Sequence, residues 1–142
     1  MKIDLHAHLE MCENSEKVIS NAKSVLIVAA GVDLNSNKKV LEFSENFENV
    51  KCSFGLYPIE ALELSGKELQ KELDFIEKNK NKIIAIGEVG IDLKESDNLE
   101  KQRNNFLKII ELAKKIDKPL IVHSRKSEKE ILEILEQEKV KR

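Results

Sequence analysis

The chain has 142 residues, enough for a single domain with a real core. Its 24 Lys and Arg against 26 Asp and Glu leave a net charge of −2, which supplies no general electrostatic pull toward nucleic acid or an acidic membrane. Aromatic residues make up only 4% and Trp is absent, which argues against a stacking platform for single strands.

The first residues, Met1-Lys2-Ile3-Asp4-Leu5-His6, place acid and His where a secretory leader needs an apolar run. No stretch is long enough to cross a bilayer, so a soluble cytoplasmic protein with no membrane partner is expected. Cys12 and Cys52 form no CxxC motif and are expected as free thiols.

In chain order, a strand is expected near Lys2–His6, a helix over Ser15–Ala22 and a second strand at Ser24–Ala29. The next helix, Asn35–Asn46, has Val40 and Leu41 and, just past its end, Phe47 at helical spacing. A third strand, Val50–Gly55, stops before Pro58, which cannot continue a ladder. A helix over Gly66–Lys78 has Ser65 as its N-cap. A fourth strand runs Ile83–Glu88, and a long helix, Asn98–Ile116, turns Phe106, Ile109, Ile110 and Ala113 to one face. A fifth strand, Leu120–His123, leads to a helix from Ser127 to about Lys139, with Glu130 completing a capping box. Strands alternating with helices mean parallel β/α units in one α/β domain over residues 1–142. The helices then lie on one side of a curling sheet or on both sides of a flat one. Neither a phosphate-binding loop nor a dinucleotide motif is present; Gly87 and Gly90 flank Glu88 without that spacing.

His6-Ala7-His8 sets two imidazoles two residues apart, and on a strand such residues face the same side, as does Asp4. A lone HxH is a weak signal. Its weight rises because all three histidines of the chain, His6, His8 and His123, fall at C-terminal strand ends. Those ends face the active site in a parallel barrel. Glu88 closes an apolar strand in the same way, where an unpaired carboxylate is costly. The residue types point to a divalent metal held by His6, His8, Glu88 and His123. Arg125 is either a forked donor to a phosphate or half of a surface ion pair. Asp92 is either an acceptor behind the site or a turn residue. Tyr57 lies near the mouth.

Together these segments resemble the TatD-type hydrolases. The matching runs are Ile3-Asp4-Leu5-His6-Ala7-His8-Leu9, Ser53-Phe54-Gly55-Leu56-Tyr57-Pro58, Ile86-Gly87-Glu88-Val89-Gly90-Ile91-Asp92 and Pro119-Leu120-Ile121-Val122-His123-Ser124-Arg125. Gln102, Phe106 and Ala113 fall where that family's fourth helix has its signature. The Gly-Glu-Val-Gly-Ile-Asp run argues against the histidinol-phosphatase class, which shares the HxH opening.

The resemblance implies a parallel (β/α) barrel of the TIM type with one or two divalent ions (zinc, magnesium or manganese) and phosphodiester hydrolysis, typically of DNA. It implies that His6 and His8 bind one ion, Glu88 bridges both and His123 binds the second. Arg125 and Tyr57 would face the substrate, although Tyr57 stands where the family usually has His. A barrel of this fold takes roughly 250 residues. About five of eight units are therefore expected here, without the family's sixth-strand His and eighth-strand catalytic Asp. Three expectations follow: a complementary C-terminal chain completes the enzyme, a homo-oligomer forms a single-metal hydrolase, or the chain self-associates without catalysis.

Overall fold

The structure, a computed structural model, describes residues 2–140. Its five strands are β1 (Lys2–Ala7), β2 (Val25–Ala30), β3 (Val50–Phe54), β4 (Ala85–Asp92) and β5 (Leu120–Arg125). They pair in sequence order, all parallel. The helices are α1 (Ser15–Asn21), α2 (Leu34–Asn46), α3 (Pro58–Glu63), α4 (Gly66–Lys78), α5 (Leu99–Ile116) and α6 (Glu128–Gln137), with a 3-10 turn at Leu9–Met11. The expected β/α alternation is present, and the sheet curls as part of a barrel. No helix among the described residues is long and apolar enough to cross a membrane.

The central strands are apolar without alternation because both of their faces are covered. In β2, Val28, Ala29 and Ala30 are buried, and in β4, Ile86, Val89 and Ile91 are buried. Helix α5 supplies Phe106, Ile109, Ile110 and Ala113 to the same core, the face its spacing predicts. In α2, Val40 is fully buried, while Leu41 and the C-cap residue Phe47 pack against the core from its margin. Cys52 is buried and Cys12 exposed, and both are free. The edge strands β1 and β5 are more open: Ile3 is 51% and Leu5 66% exposed on β1.

Four expectations need correction. Strand β4 starts later than Ile83 and runs on to Asp92, and β5 extends to Arg125. Both continue because Gly90, at φ 148°, brings the two backbones together where a Cβ would collide with the His123 carbonyl oxygen. Pro58 does more than end a ladder. It occupies the first turn of α3, where its missing N–H costs nothing. Ser127 stands at the α6 N-cap position but caps nothing, because its buried hydroxyl donates to the Ile91 carbonyl at 2.7 Å.

By contrast, the Ser65 cap forms, with Glu68 completing a capping box. Asp33 caps α2 through Ser36 in the same manner.

Glu72 of α4 is drawn into this outer layer, only 7% exposed. Its Oε1 accepts the Leu34 N–H at the start of α2 at 3.1 Å, while Oε2 is buried without a partner. Burial raises its pKa against the opposing pull of that hydrogen bond. A carboxylate whose folded pKa lies above its unfolded value stabilises the fold most at low pH. That contribution is lost as pH rises through the folded value. Glu72→Gln is therefore expected to raise the thermal midpoint relative to wild type at pH 8, with the gain shrinking at pH 4. Equal differences at the two pH values would contradict this.

Candidate metal centre

The C-terminal ends of β1, β4 and β5 bring the predicted residues together. His6 lies in β1 and His8 just past it, and the register with β2 slips between Asp4 and Ala7. The β4–β5 register slips likewise between Ile86 and Val89, around Glu88. Such irregularities re-aim side chains beside a site. Here they turn His6, His8 and Glu88 toward one point.

His6 Nε2 and His8 Nε2 lie 3.1 Å apart, and the Glu88 Oε2 is 3.4 Å from the first and 3.2 Å from the second. A tetrahedral ion with nitrogen and oxygen donors at about 2.0–2.1 Å sets those donors roughly 3.3 Å apart. The three donors therefore already stand at the spacing one ion requires. These three residues are the metal-capable cluster among the described residues. The His6 side chain is 35% and His8 28% exposed, which leaves the open side of the triangle to water. Asp4 does not join them; its carboxylate accepts the His6 main-chain N–H at 3.1 Å.

His123 stands on the other side of Glu88. Its Nδ1 is 2.7 Å from Glu88 Oε1, so the carboxylate presents one oxygen to the His6–His8 pair and the other to His123. His123 Nε2 lies 2.9 Å from Asp92 Oδ2, and Tyr57 donates its hydroxyl to that same oxygen at 2.7 Å. The Tyr57 and His123 rings meet edge to face with centroids 5.0 Å apart. Burial, together with the Asp92 hydrogen bond and charge, pushes the Tyr57 phenol up and keeps it a donor.

Asp92, fully buried, resolves the alternatives left open in the sequence by filling both roles. Its Oδ1 accepts the Lys94 and Glu95 N–H groups of the following turn, and its Oδ2 holds Tyr57 and His123. Burial alone would raise its pKa. The hydrogen bonds from Tyr57, Glu95 N–H, His123 and Lys94 N–H outweigh it and bring the carboxyl down to about 2. Gln102 clamps the same residue's backbone, accepting Asp92 N–H at 2.7 Å and donating to Asp92 O at 3.1 Å.

Arg125, half exposed, pairs with Glu95 at 2.8 Å and reaches to 3.9 Å from Asp92. Two supports have no counterpart in the sequence reading. The buried Asn37 amide pairs with both backbone groups of Gly55, at 2.8 and 2.9 Å. A Cβ on Gly55 would strike the Glu88 backbone, so this pairing fixes the floor under Glu88. Glu10 approaches His8 from behind. An acid two residues past an HxH was the available signal for it.

The model of TatD-related DNases matches residues 3–142. The chain belongs to the TatD family. An uncharacterized metal-dependent hydrolase of Methanocaldococcus jannaschii is 33% identical over 93% of this chain and 54% of its own length. The human deoxyribonuclease TATDN3 is 28% identical, over 96% of this chain and 52% of its own length. The crystal structure of YjjV, a TatD homolog from Escherichia coli K12, superposes with a TM-score of 0.85 at 26% identity, covering 96% of this chain and 56% of that one. The chain thus spans about half the length of the TatD relatives it matches, and its five parallel units are a corresponding share of their barrel.

Proposed function

We propose that the chain carries the first part of a TatD-type metal-dependent hydrolase site, acting on phosphodiesters such as DNA. The observation that supports this most is the triangle of His6 Nε2, His8 Nε2 and Glu88 Oε2, with edges of 3.1 to 3.4 Å. His6, His8 and Glu88 would hold one divalent ion, and Glu88 with His123 would face a second. The paired imidazoles favour zinc over magnesium, and manganese lies between. When bound, such an ion polarises a phosphoryl oxygen and lowers the pKa of water.

The chain's own groups do the rest of the work on this side. Glu88 offers one oxygen to each half of the site. Asp92 and Tyr57 keep His123 oriented toward Glu88. Arg125 and Tyr57 lie at the rim, where a guanidinium released from Glu95 would take a phosphate oxygen in a forked pair. The carboxylate that takes the proton of an attacking water would come from further barrel strands, as the TatD resemblance implies, on the same polypeptide or a second one.

A second reading rests on the exposure of Ile3 and Leu5 along edge strand β1. An open apolar edge invites pairing with another copy, and the product would be a self-associated fragment without catalysis. Zinc content, sedimentation and hydrolysis of bis(p-nitrophenyl) phosphate separate the two, measured on the chain alone and with complementary TatD barrel strands added. Stoichiometric zinc and hydrolysis that depends on the added strands support the enzyme. A metal-free homodimer that stays inactive when those strands are present supports the fragment.

A further inference from the structure

Glu10 sits in the 3-10 turn two residues beyond His8, with its side chain only 6% exposed. Its Oε1 lies 3.3 Å from His8 Nδ1, the ring nitrogen opposite the one in the metal triangle. Its Oε2 is buried and has no hydrogen-bond partner among the described residues. The nearby Lys39 forms no direct ion pair with the carboxylate; its ammonium donates to the Glu10 main-chain oxygen, at 3.2 Å. Nor is Glu10 needed merely to hold a proton on Nδ1, since the Ala30 carbonyl oxygen already lies 3.2 Å from that atom.

A carboxylate buried with one oxygen unpaired is costly unless a positive charge compensates it. A cation across the imidazole, beyond Nε2, would supply such a charge in line with the Glu10–His8 contact. A carboxylate on the outer nitrogen of a ligating His fixes the tautomer and makes the inner nitrogen a stronger donor.

We infer that Glu10 is a positioning residue for the metal centre, forming a Glu10–His8–metal relay. The Ala30 carbonyl orients the ring, and Glu10 adds the negative charge that raises the donor strength of Nε2. This inference rests on the reading of His6, His8 and Glu88 as metal ligands. It predicts that the metal-free chain tolerates loss of the Glu10 charge, whereas the metal-loaded chain does not.

The test compares Glu10→Gln and Glu10→Ala with wild type and with a His6→Ala control. Zinc affinity is measured against a competing chelator, and the site is also read from the visible absorption of bound Co²⁺. Glu10→Gln is expected to weaken zinc binding about tenfold, the lower end of the usual effect of such partners. It should also shift the Co²⁺ bands, while the metal-free thermal midpoint stays level or rises. A purely structural Glu10 would give the reverse, a lowered metal-free midpoint with unchanged affinity and spectrum. If His6→Ala abolishes binding while Glu10→Gln binds zinc as wild type does, the relay is wrong and the metal site stands. If His6→Ala binds zinc normally, the metal site falls and the relay with it.

Discussion

Replacing Glu88 with glutamine is expected to lower zinc affinity at least about 100-fold, the upper end of what losing an outer partner costs. The reason lies in how both carboxylate oxygens are used. Oε2 completes the triangle with His6 and His8, and Oε1 meets His123 Nδ1 at 2.7 Å. An amide has one oxygen to offer. Turned toward the His6–His8 pair, it gives a neutral, weaker ligand and sets its NH₂ against His123. Turned the other way, it presents N–H groups to the metal position. Either orientation removes the one negative charge in the three-donor set. A thermal shift reads the loss directly. Zinc at about 100 times its Kd should stabilise the wild-type chain by roughly 2.7 kcal/mol, and the Glu88→Gln chain should gain no more than about 0.4 kcal/mol at the same concentration. An equal zinc-induced shift in both proteins would remove Glu88 from the ligand set.

The pattern of what was readable follows from where each signal is stored. Apolar runs bounded by charged helices mark β2 and β4 most clearly, because burial on both faces leaves no room for alternation. The candidate metal residues stand out because three histidines and a glutamate recur at the C-terminal ends of separate strands. Helix α3 has no such signal: six residues are too few to show a period, and Pro58 reads equally as a stop or a start. The length of β4 was hidden by Gly90, which looks like a breaker and in fact permits close approach to β5. Ser127 illustrates a local pattern overridden by a tertiary contact, since the Ile91 carbonyl takes the hydroxyl that the capping box would have used. The Tyr57–Asp92–His123 cluster was the least legible part. Its members come from the ends of three different strands, and only the curl of the sheet sets their polar atoms 2.7 to 2.9 Å apart.

That cluster carries the second large effect. Asp92→Asn is expected to destabilise the chain by about 2–4 kcal/mol, although the two side chains are nearly the same size. Four donors converge on the carboxylate, two backbone N–H groups on Oδ1 and Tyr57 with His123 on Oδ2. The asparagine amide can place its oxygen under only one pair. The other pair then faces an NH₂, and each part-buried donor left unmatched costs about 1–2 kcal/mol, the lower part of the usual range. Backbone donors cannot move, so the oxygen should stay with Lys94 and Glu95 and the loss should fall on Tyr57 and His123. His123 is then no longer held from behind, and its contact with Glu88 loosens. Tyr57→Phe, which removes a single donor and leaves the carboxylate three others, should cost only about 1 kcal/mol. In a double-mutant cycle the Tyr57→Phe cost should largely vanish in the Asp92→Asn background, because the hydroxyl has by then lost its acceptor. Urea unfolding of the four proteins measures each of these values. Additive costs would mean that Tyr57 and Asp92 stabilise the fold independently and that the shared oxygen does not couple them.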